Sequence, residues 1–408
     1  MTITKSRAWV MLFITMLISF LGTAGIALPY PVLAPYFLDY PANELTHFAG
    51  INPKLLLGIA LALYPLGMLI GSSFIGALSD IYGRRLVLTI TLAGTTVGYL
   101  LTAYAVVIES YPLFIISRLL AGVCEGNVSI ARAMAADLHP HIEKVKAMSL
   151  LFATVYAGWL IGPLAGGYLM IFGIGWVFGI AAIATLLTIV VVLFGVAHRV
   201  ERPEENRSLA RIVNEENSFR LLKERDLWPI FSFYFIYTMA INLFYEFYPV
   251  WLVERLGYDS QQIAWMTVVI TAFMIFSSLI VASRLIGFVG QFNSLIGSVL
   301  ILSFSTLALT FSTENIVYSL FALMGISIAI NNAVTPTYMS DRFGHFGQGK
   351  VMGLQTSLFF LANVVMAILG SLISMLSVNA TLQVASGAFL FALIWFLLSG
   401  ESKKSQSP

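Results

Sequence analysis

The sequence predicts an all-α membrane protein, with twelve transmembrane helices in two pseudo-symmetric six-helix bundles, from three observations. Of the residues, 59% are hydrophobic and only 10% charged, against about 25% charged in ordinary soluble domains. A soluble chain of 408 residues has no core able to hide that much apolar surface. Apolar runs of about twenty residues, each able to cross ~30 Å of hydrocarbon, recur along the whole length. One long polar stretch, His198–Asp226, with seven basic and seven acidic residues, divides these runs six and six. It reads as a cytoplasmic linker at 198–226, partly helical from Ser208 to Leu222, between bundles at 1–197 and 227–408.

The first run, at 9–31, is too long for a secretory signal, lacks a small-residue cleavage site and precedes eleven further runs, so it reads as a retained span. The second and third, at 55–78 and 86–108, are joined by the short charged turn Gly76-Ala-Leu-Ser-Asp80-Ile-Tyr-Gly83-Arg84-Arg85. A turn that short joins only antiparallel helices. The fourth, at 112–136, carries Arg118-Leu-Leu-Ala-Gly122, then Cys124 and Glu125. The fifth, at 148–171, carries Gly158-Trp-Leu-Ile-Gly162-Pro163-Leu-Ala-Gly166-Gly167, where small residues permit close helix packing and Pro163 removes a backbone donor. The sixth lies at 176–197. The second half repeats the layout at 227–250, 262–283, 292–312, 315–338, 351–375 and 381–399. Ser72-Ser-Phe-Ile-Gly-Ala-Leu-Ser79 resembles Ser277-Ser-Leu-Ile-Val-Ala-Ser-Arg284 at an offset of 205 residues, about half the chain. The second copy has lost the Asp and the paired arginines, keeping Arg284.

Basic residues set orientation. Twelve spans put Lys5, Arg7, Arg84, Arg85, Arg132, Lys144, Lys146, the 198–226 loop, Arg284, Arg342, Lys350, Lys403 and Lys404 on one side. The other side keeps only Lys54 and Arg255 of the 22 basic residues, with Arg118 embedded. Both termini are therefore expected in the cytoplasm. The net charge of +2 gives no sign of a nucleic-acid partner, because the basic residues mark topology and have no interleaved aromatics. The single cysteine excludes an intramolecular disulfide, and the five scattered histidines suggest no metal.

Two acids stand at membrane depth, where an ionisable residue usually faces the interior and has a function. At 100° per residue Arg118, Ala121, Gly122, Glu125, Ser129 and Arg132 share one face of the fourth helix. Arg118 and Glu125 are seven residues apart, about 10.5 Å along the axis, so a water or a substrate group is needed to join them. Gly122 between them leaves room for their side chains. They are the candidate proton-coupling pair, with a structural charge pair as the alternative. On the seventh helix Tyr234, Tyr237, Thr238, Asn242 and Tyr245 form one polar, aromatic side with Glu246 at its flank, and such a side turns from lipid towards a cavity or a neighbouring helix. With Asn331 and Asn332 of the tenth helix these are the candidate substrate-cavity residues; packing with satisfied hydroxyls is the alternative, and Glu246 near the outer end is either ligand-facing or merely hydrated.

The decapeptide 76–85 resembles the G-x-x-x-D-x-x-G-R-R signature of the major facilitator superfamily, and matches it at both glycines, the acid and both arginines. Arg118 to Gly122 resembles the family's R-x-x-x-G pattern, and Gly158 to Gly167 resembles the G-x-x-x-G-P-x-x-G-G motif of its proton-coupled antiporters, notably the twelve-helix drug:proton antiporters. Gly347-Gln-Gly-Lys-Val-Met-Gly353 resembles text at the eleventh helix of the same group, though a glycine-rich turn explains it equally. The resemblance implies a cytoplasmic gate in which Gly76, Asp80, Gly83, Arg84 and Arg85 latch the cytoplasmic side. There Asp80 faces the start of the eleventh helix and the arginines face Asp137; marking topology is the alternative. Several drug exporters carry an acid in the first helix, but Gly22-Thr-Ala-Gly25-Ile-Ala-Leu-Pro29 has none.

These features imply a monomeric secondary transporter of a bacterial inner membrane, not an enzyme. The chain contains no G-x-x-x-x-G-K-[ST] nucleotide loop, so the proton gradient is the expected motor, with no cofactor. The expectation is efflux of a small organic molecule, drug-like or a carboxylate metabolite or siderophore; a proton symporter importing a small metabolite is the alternative. A membrane enzyme or a receptor without transport is not expected, because no Ser/His/Asp constellation or metal cluster lies at membrane depth.

Overall fold

The computed structural model describes residues 5–126, 130–131, 134–135, 138, 141–142, 144–196, 218–346 and 348–399, and among these there is no β-strand. The chain divides into two compact units, Met1–Glu216 and Asn217–Pro408. Eleven helices among the described residues are long and apolar enough to cross a membrane. The expected fourth span is helical at Tyr111–Glu125, and again at 130–131 and 134–135, with the residues between outside the described ones. Of the expected linker only 218–226 is described, and the helix expected to Leu222 is there a 3-10 segment, Ser218–Lys223.

The first unit opens with α1 (Lys5–Ala27) and α2 (Tyr30–Leu38). The first span thus runs on to Leu38, seven residues beyond the expected end. Pro29 and Pro31 interrupt the backbone hydrogen-bond ladder, but proline is tolerated in the first turn of a helix, so the chain restarts and buries Val32, Leu33, Ala34 and Phe37. Asn52 caps α3 (Pro53–Ser72), its Oδ1 accepting from Lys54 N at 2.9 Å. After a two-residue break come α4 (Ile75–Tyr82), α5 (Arg84–Val107), α6 (Tyr111–Glu125), α7 (Lys144–Leu169) and α8 (Ile174–Gly195).

The second unit comprises α9 (Trp228–Leu256), α10 (Ser260–Phe276), α11 (Ala282–Val289), α12 (Gln291–Leu309), α13 (Glu314–Phe343), α14 (Gln348–Leu376) and α15 (Val378–Leu398). A π-helical turn, Ser277–Val281, joins α10 to α11 where the first unit breaks between α3 and α4. The following corner is also shared: Gly83 at φ 91° and Gly290 at φ 84° start α5 and α12 from a backbone conformation that L side chains rarely adopt.

Packing carries the repeat further. The most extensive helix pairs of the first unit are α1 with α7, α1 with α8, α3 with α6, α5 with α6 and α5 with α8. The corresponding pairs of the second are α9 with α14, α9 with α15, α10 with α13, α12 with α13 and α12 with α15. The two units are thus one helix arrangement drawn twice. Lipid supplies no hydrophobic drive between helices, so small residues and buried hydroxyls hold the seams. Thr96 and Thr185 pair across α5 and α8 at 2.9 Å, Thr102 and Ser117 across α5 and α6 at 2.8 Å, and Ser303 with Ser386 across α12 and α15 at 3.0 Å.

Candidate functional site

Three helices of the first unit meet at a buried carboxyl. Glu125 ends α6 and is 2% exposed. Tyr99 of α5 donates its hydroxyl to Glu125 Oε1 at 2.9 Å, Tyr64 of α3 donates to Oε2, and the two hydroxyls lie 3.2 Å apart. Arg118, 3% exposed, lays its guanidinium over the Tyr64 ring, Cζ 4.2 Å from the centroid, with the Phe178 ring at 5.7 Å. Its Nε and Nη1 are buried without a hydrogen-bond partner. Tyr64 therefore stands between cation and acid, one through its face and the other through its hydroxyl. Stacking of this kind contributes about 0.5–2 kcal/mol, and a hydrogen bond to a charged group about 1.5–3 kcal/mol.

Glycines bring these helices within reach. A Cβ on Gly67 of α3 would lie 2.5 Å from the Leu119 carbonyl oxygen, and one on Gly122 would meet the Tyr64 carbonyl and, at 3.1 Å, the Cα of Gly67. The space at Gly122 is thus filled by the α3 backbone, not by the Arg118 and Glu125 side chains as the sequence suggested. Gly25 of α1 comes close as well, its hypothetical Cβ 2.6 Å from the Tyr99 hydroxyl and 3.6 Å from Glu125 Oε1. The first helix contributes closeness to this site rather than an acid.

The shared face expected on α6 is present over its described part, with Arg118, Ala121, Gly122 and Glu125 all buried; Ser129 and Arg132 lie outside the described residues. Sequence reasoning missed Tyr64 and Tyr99. Tyr64 is the lone tyrosine of its apolar span and Tyr99 the deeper of two in its own, where a phenol hydroxyl needs a partner, and that was the available signal.

The polar residues of α9 point to different neighbours. Tyr237 packs its ring 5.6 Å from that of Phe389 on α15, and its hydroxyl is buried and unpartnered. Tyr234 has Thr238 of its own helix and Gln355 of α14 beside its hydroxyl. Asn242 accepts from Asn363 Nδ2 of α14 at 3.1 Å and donates to the Phe359 carbonyl at 3.4 Å. Tyr245 turns its hydroxyl to Met274 Sδ of α10 at 3.4 Å. Glu246 is 3% exposed, and neither carboxyl oxygen has a hydrogen-bond partner. On α13, Asn331 is buried and accepts from Thr335 at 2.8 Å, while Asn332 is exposed.

The antiporter-like motif lies on α7, against α1. Gly158 abuts Thr23 and the Phe20 carbonyl, Gly162 the Ala24 carbonyl, and Gly166 the Leu28 carbonyl, with Pro163 and Gly167 buried beside them. Of the gate-like decapeptide, Gly76 and Asp80 are in α4, Gly83 turns the corner, and Arg84 and Arg85 open α5. The Asp80 side chain and all of Asp137 lie outside the described residues.

The family pattern described as Major Facilitator Superfamily matches residues 12–311 and again 230–408. The chain is 26% identical over 252 residues to the tetracycline resistance protein, class B, of Escherichia coli, a match covering 61% of this chain and 60% of that protein. It is 25% identical over 369 residues to multidrug resistance protein 2 of Bacillus subtilis (strain 168), covering 88% of each. Among solved structures a D-xylose-proton symporter shares the fold, at a TM-score of 0.73 and 16% identity over 97% of both chains. With its helices paired alike in both halves and that pattern spanning the chain, the protein belongs to the Major Facilitator Superfamily.

Proposed function

We propose that this transporter exports a small organic molecule in exchange for protons, with Glu125 as the proton carrier and Arg118 as its switchable partner. One observation carries the reading: a buried carboxyl held by two tyrosines sits one ring away from a buried guanidinium with two unpartnered nitrogens. When a proton neutralises Glu125, the tyrosines alone hold it. When the proton leaves, the carboxylate gains by drawing Arg118 closer, and that movement is the step that couples to alternating access. Relatives named for tetracycline and multidrug resistance favour export of a drug-like compound. In this reading the membrane is a bacterial inner membrane, both termini are cytoplasmic, the protein acts as a monomer, and the gradient replaces any cofactor.

Inside-out vesicles test it. Substrate uptake driven by respiration and abolished by a protonophore is the expected result, and Glu125→Gln, which keeps size and polarity, abolishes that uptake while inserting normally. Uptake into right-side-out cells on a proton gradient would instead establish the symporter. Wild-type rates in Glu125→Gln would remove Glu125 from the coupling step.

A further inference from the structure

We propose that Gly25 is a positioning residue of the proton site: the α1 backbone there confines the Tyr99 hydroxyl to its bond with Glu125. A Cβ on Gly25 would lie 2.6 Å from the Tyr99 hydroxyl oxygen, 3.3 Å from Tyr99 Cζ and 3.6 Å from Glu125 Oε1. The space that a side chain would take at this point of α1 is therefore already held by the Tyr99–Glu125 hydrogen bond. Tyr99 is fully buried, and its hydroxyl sits at the end of a rigid ring.

Neither helix has slack at this contact. One residue before Tyr99, a Cβ on Gly98 would lie 2.8 Å from Ala121 Cβ and 2.9 Å from Ala121 Cα, so α5 is closed on α6. On the other side, Ala24 and Ala27 of α1 meet Gly162 of α7, while Thr23 meets Gly158 and Leu28 meets Gly166. The antiporter-like glycines thus fix the turn of α1 that carries Gly25, which gives that motif a task at the proton site. The titratable and charged groups facing Glu125 are Tyr64 of α3, Tyr99 of α5 and Arg118 of its own helix, with Cys124 adjacent in sequence. From Ala8 to Pro29 the chain offers α1 no titratable side chain, so α1 acts on Glu125 by filling space. A methyl group at Gly25 is accommodated by turning the Tyr99 ring, which carries its hydroxyl off Oε1. A hydrogen bond to a carboxylate favours the charged form, so its loss leaves Glu125 easier to protonate.

The inference rests on Glu125 as the proton carrier, but its test reads protonation without a gradient. Full-length protein in nanodiscs is treated across a pH series with dicyclohexylcarbodiimide, which modifies protonated carboxyls, and labelling of Glu125 is read by peptide mass spectrometry. Gly25→Ala should raise the pH of half-maximal labelling by about one pH unit or more. Gly179→Ala, whose Cβ would meet nothing within 4 Å, should leave it at the wild-type value. Tyr99→Phe removes the obstructing hydroxyl together with its hydrogen bond. It should raise the midpoint as Gly25→Ala does, and adding Gly25→Ala to it should raise the midpoint no further. Where Gly25→Ala alone fails to fold, the double variant with Tyr99→Phe should restore folding. An unshifted midpoint in Gly25→Ala, a further shift in the Tyr99→Phe background, or failure of both alanine variants to fold would each overturn the assignment. Normal proton-driven transport by Glu125→Gln would overturn the carrier reading and leave the positioning of Tyr99 standing.

Discussion

Gly162→Ala tests whether the antiporter-like motif acts through packing. A Cβ at Gly162 would sit 2.6 Å from the Ala24 carbonyl oxygen and 3.1 Å from Ala27 Cβ. Carbon–oxygen contacts settle at about 3.3–3.6 Å, so α7 and α1 must part by roughly 0.7–1 Å along that line. Overpacking of this size costs about 1–3 kcal/mol. Alanine also gains up to ~1 kcal/mol of helix propensity over glycine, which hides part of the loss. Gly179→Ala on α8 is the internal control, because its Cβ would meet nothing within 4 Å and only the propensity gain applies. The difference between the two variants is then the packing cost itself. At about 2–4 °C per kcal/mol for a domain this size, Gly162→Ala should melt roughly 2–12 °C below Gly179→Ala. Intrinsic tryptophan fluorescence of the purified protein during a thermal ramp reads this directly. Coincident melting curves would refute the packing account.

Tyr64→Phe keeps the ring under Arg118 and deletes the hydroxyl on Glu125, whereas Tyr64→Leu deletes both. Phe should slow proton-coupled transport about tenfold or more, from the 1.5–3 kcal/mol of a charged hydrogen bond, and Leu should slow it further; equal transport by wild type and Phe in vesicles would make the hydroxyl incidental. Asp80→Asn weakens the charge–dipole contact that the family resemblance implies, worth about 0.3–1 kcal/mol and up to ~2 when partly buried. Greater labelling of a cysteine placed at Ser79 in a Cys124→Ser background is expected, and unchanged labelling with normal transport would make the decapeptide a topology marker.

Composition and run length made the helical membrane fold legible, because a bilayer fixes both the length and the polarity of anything that crosses it. The first span was misjudged at its end, since Pro29 and Pro31 look like a stop while the apolar residues after them keep the chain in a helix to Leu38. Arg118 and Glu125 were legible as charges where charge is costly. Their arrangement was not, because 100° periodicity places residues on one helix and says nothing of what the next helix brings. Tyr64 and Tyr99 come from α3 and α5, and only tertiary packing reveals that both reach Glu125. The polar side of α9 was read as one surface, yet its side chains go to α10, α14 and α15, because this helix is buried nearly all round.

The repeat separates what packing needs from what chemistry needs. Gly122 of α6 meets the Tyr64 carbonyl of α3, and Gly325 of α13 meets the Ile270 carbonyl of α10, so the same helix pair closes on a glycine in both units. Four residues before and three after that glycine stand Arg118 and Glu125 in the first unit. In the second these positions hold Phe321 and Ile328, buried at 0% and 2% exposure. In the second unit the same helix pair is therefore packed with apolar side chains at these two positions. Replacing a buried ionic set by well-packed hydrophobic residues is often neutral or stabilising by about 1–4 kcal/mol. The double variant Arg118→Phe with Glu125→Ile should then insert and melt no lower than wild type, while proton-driven transport vanishes. Leaving one charge alone is worse for stability, so either single replacement should melt below the double. A double variant that fails to fold while both singles survive would return the pair to a structural role and remove the physical basis for the coupling site.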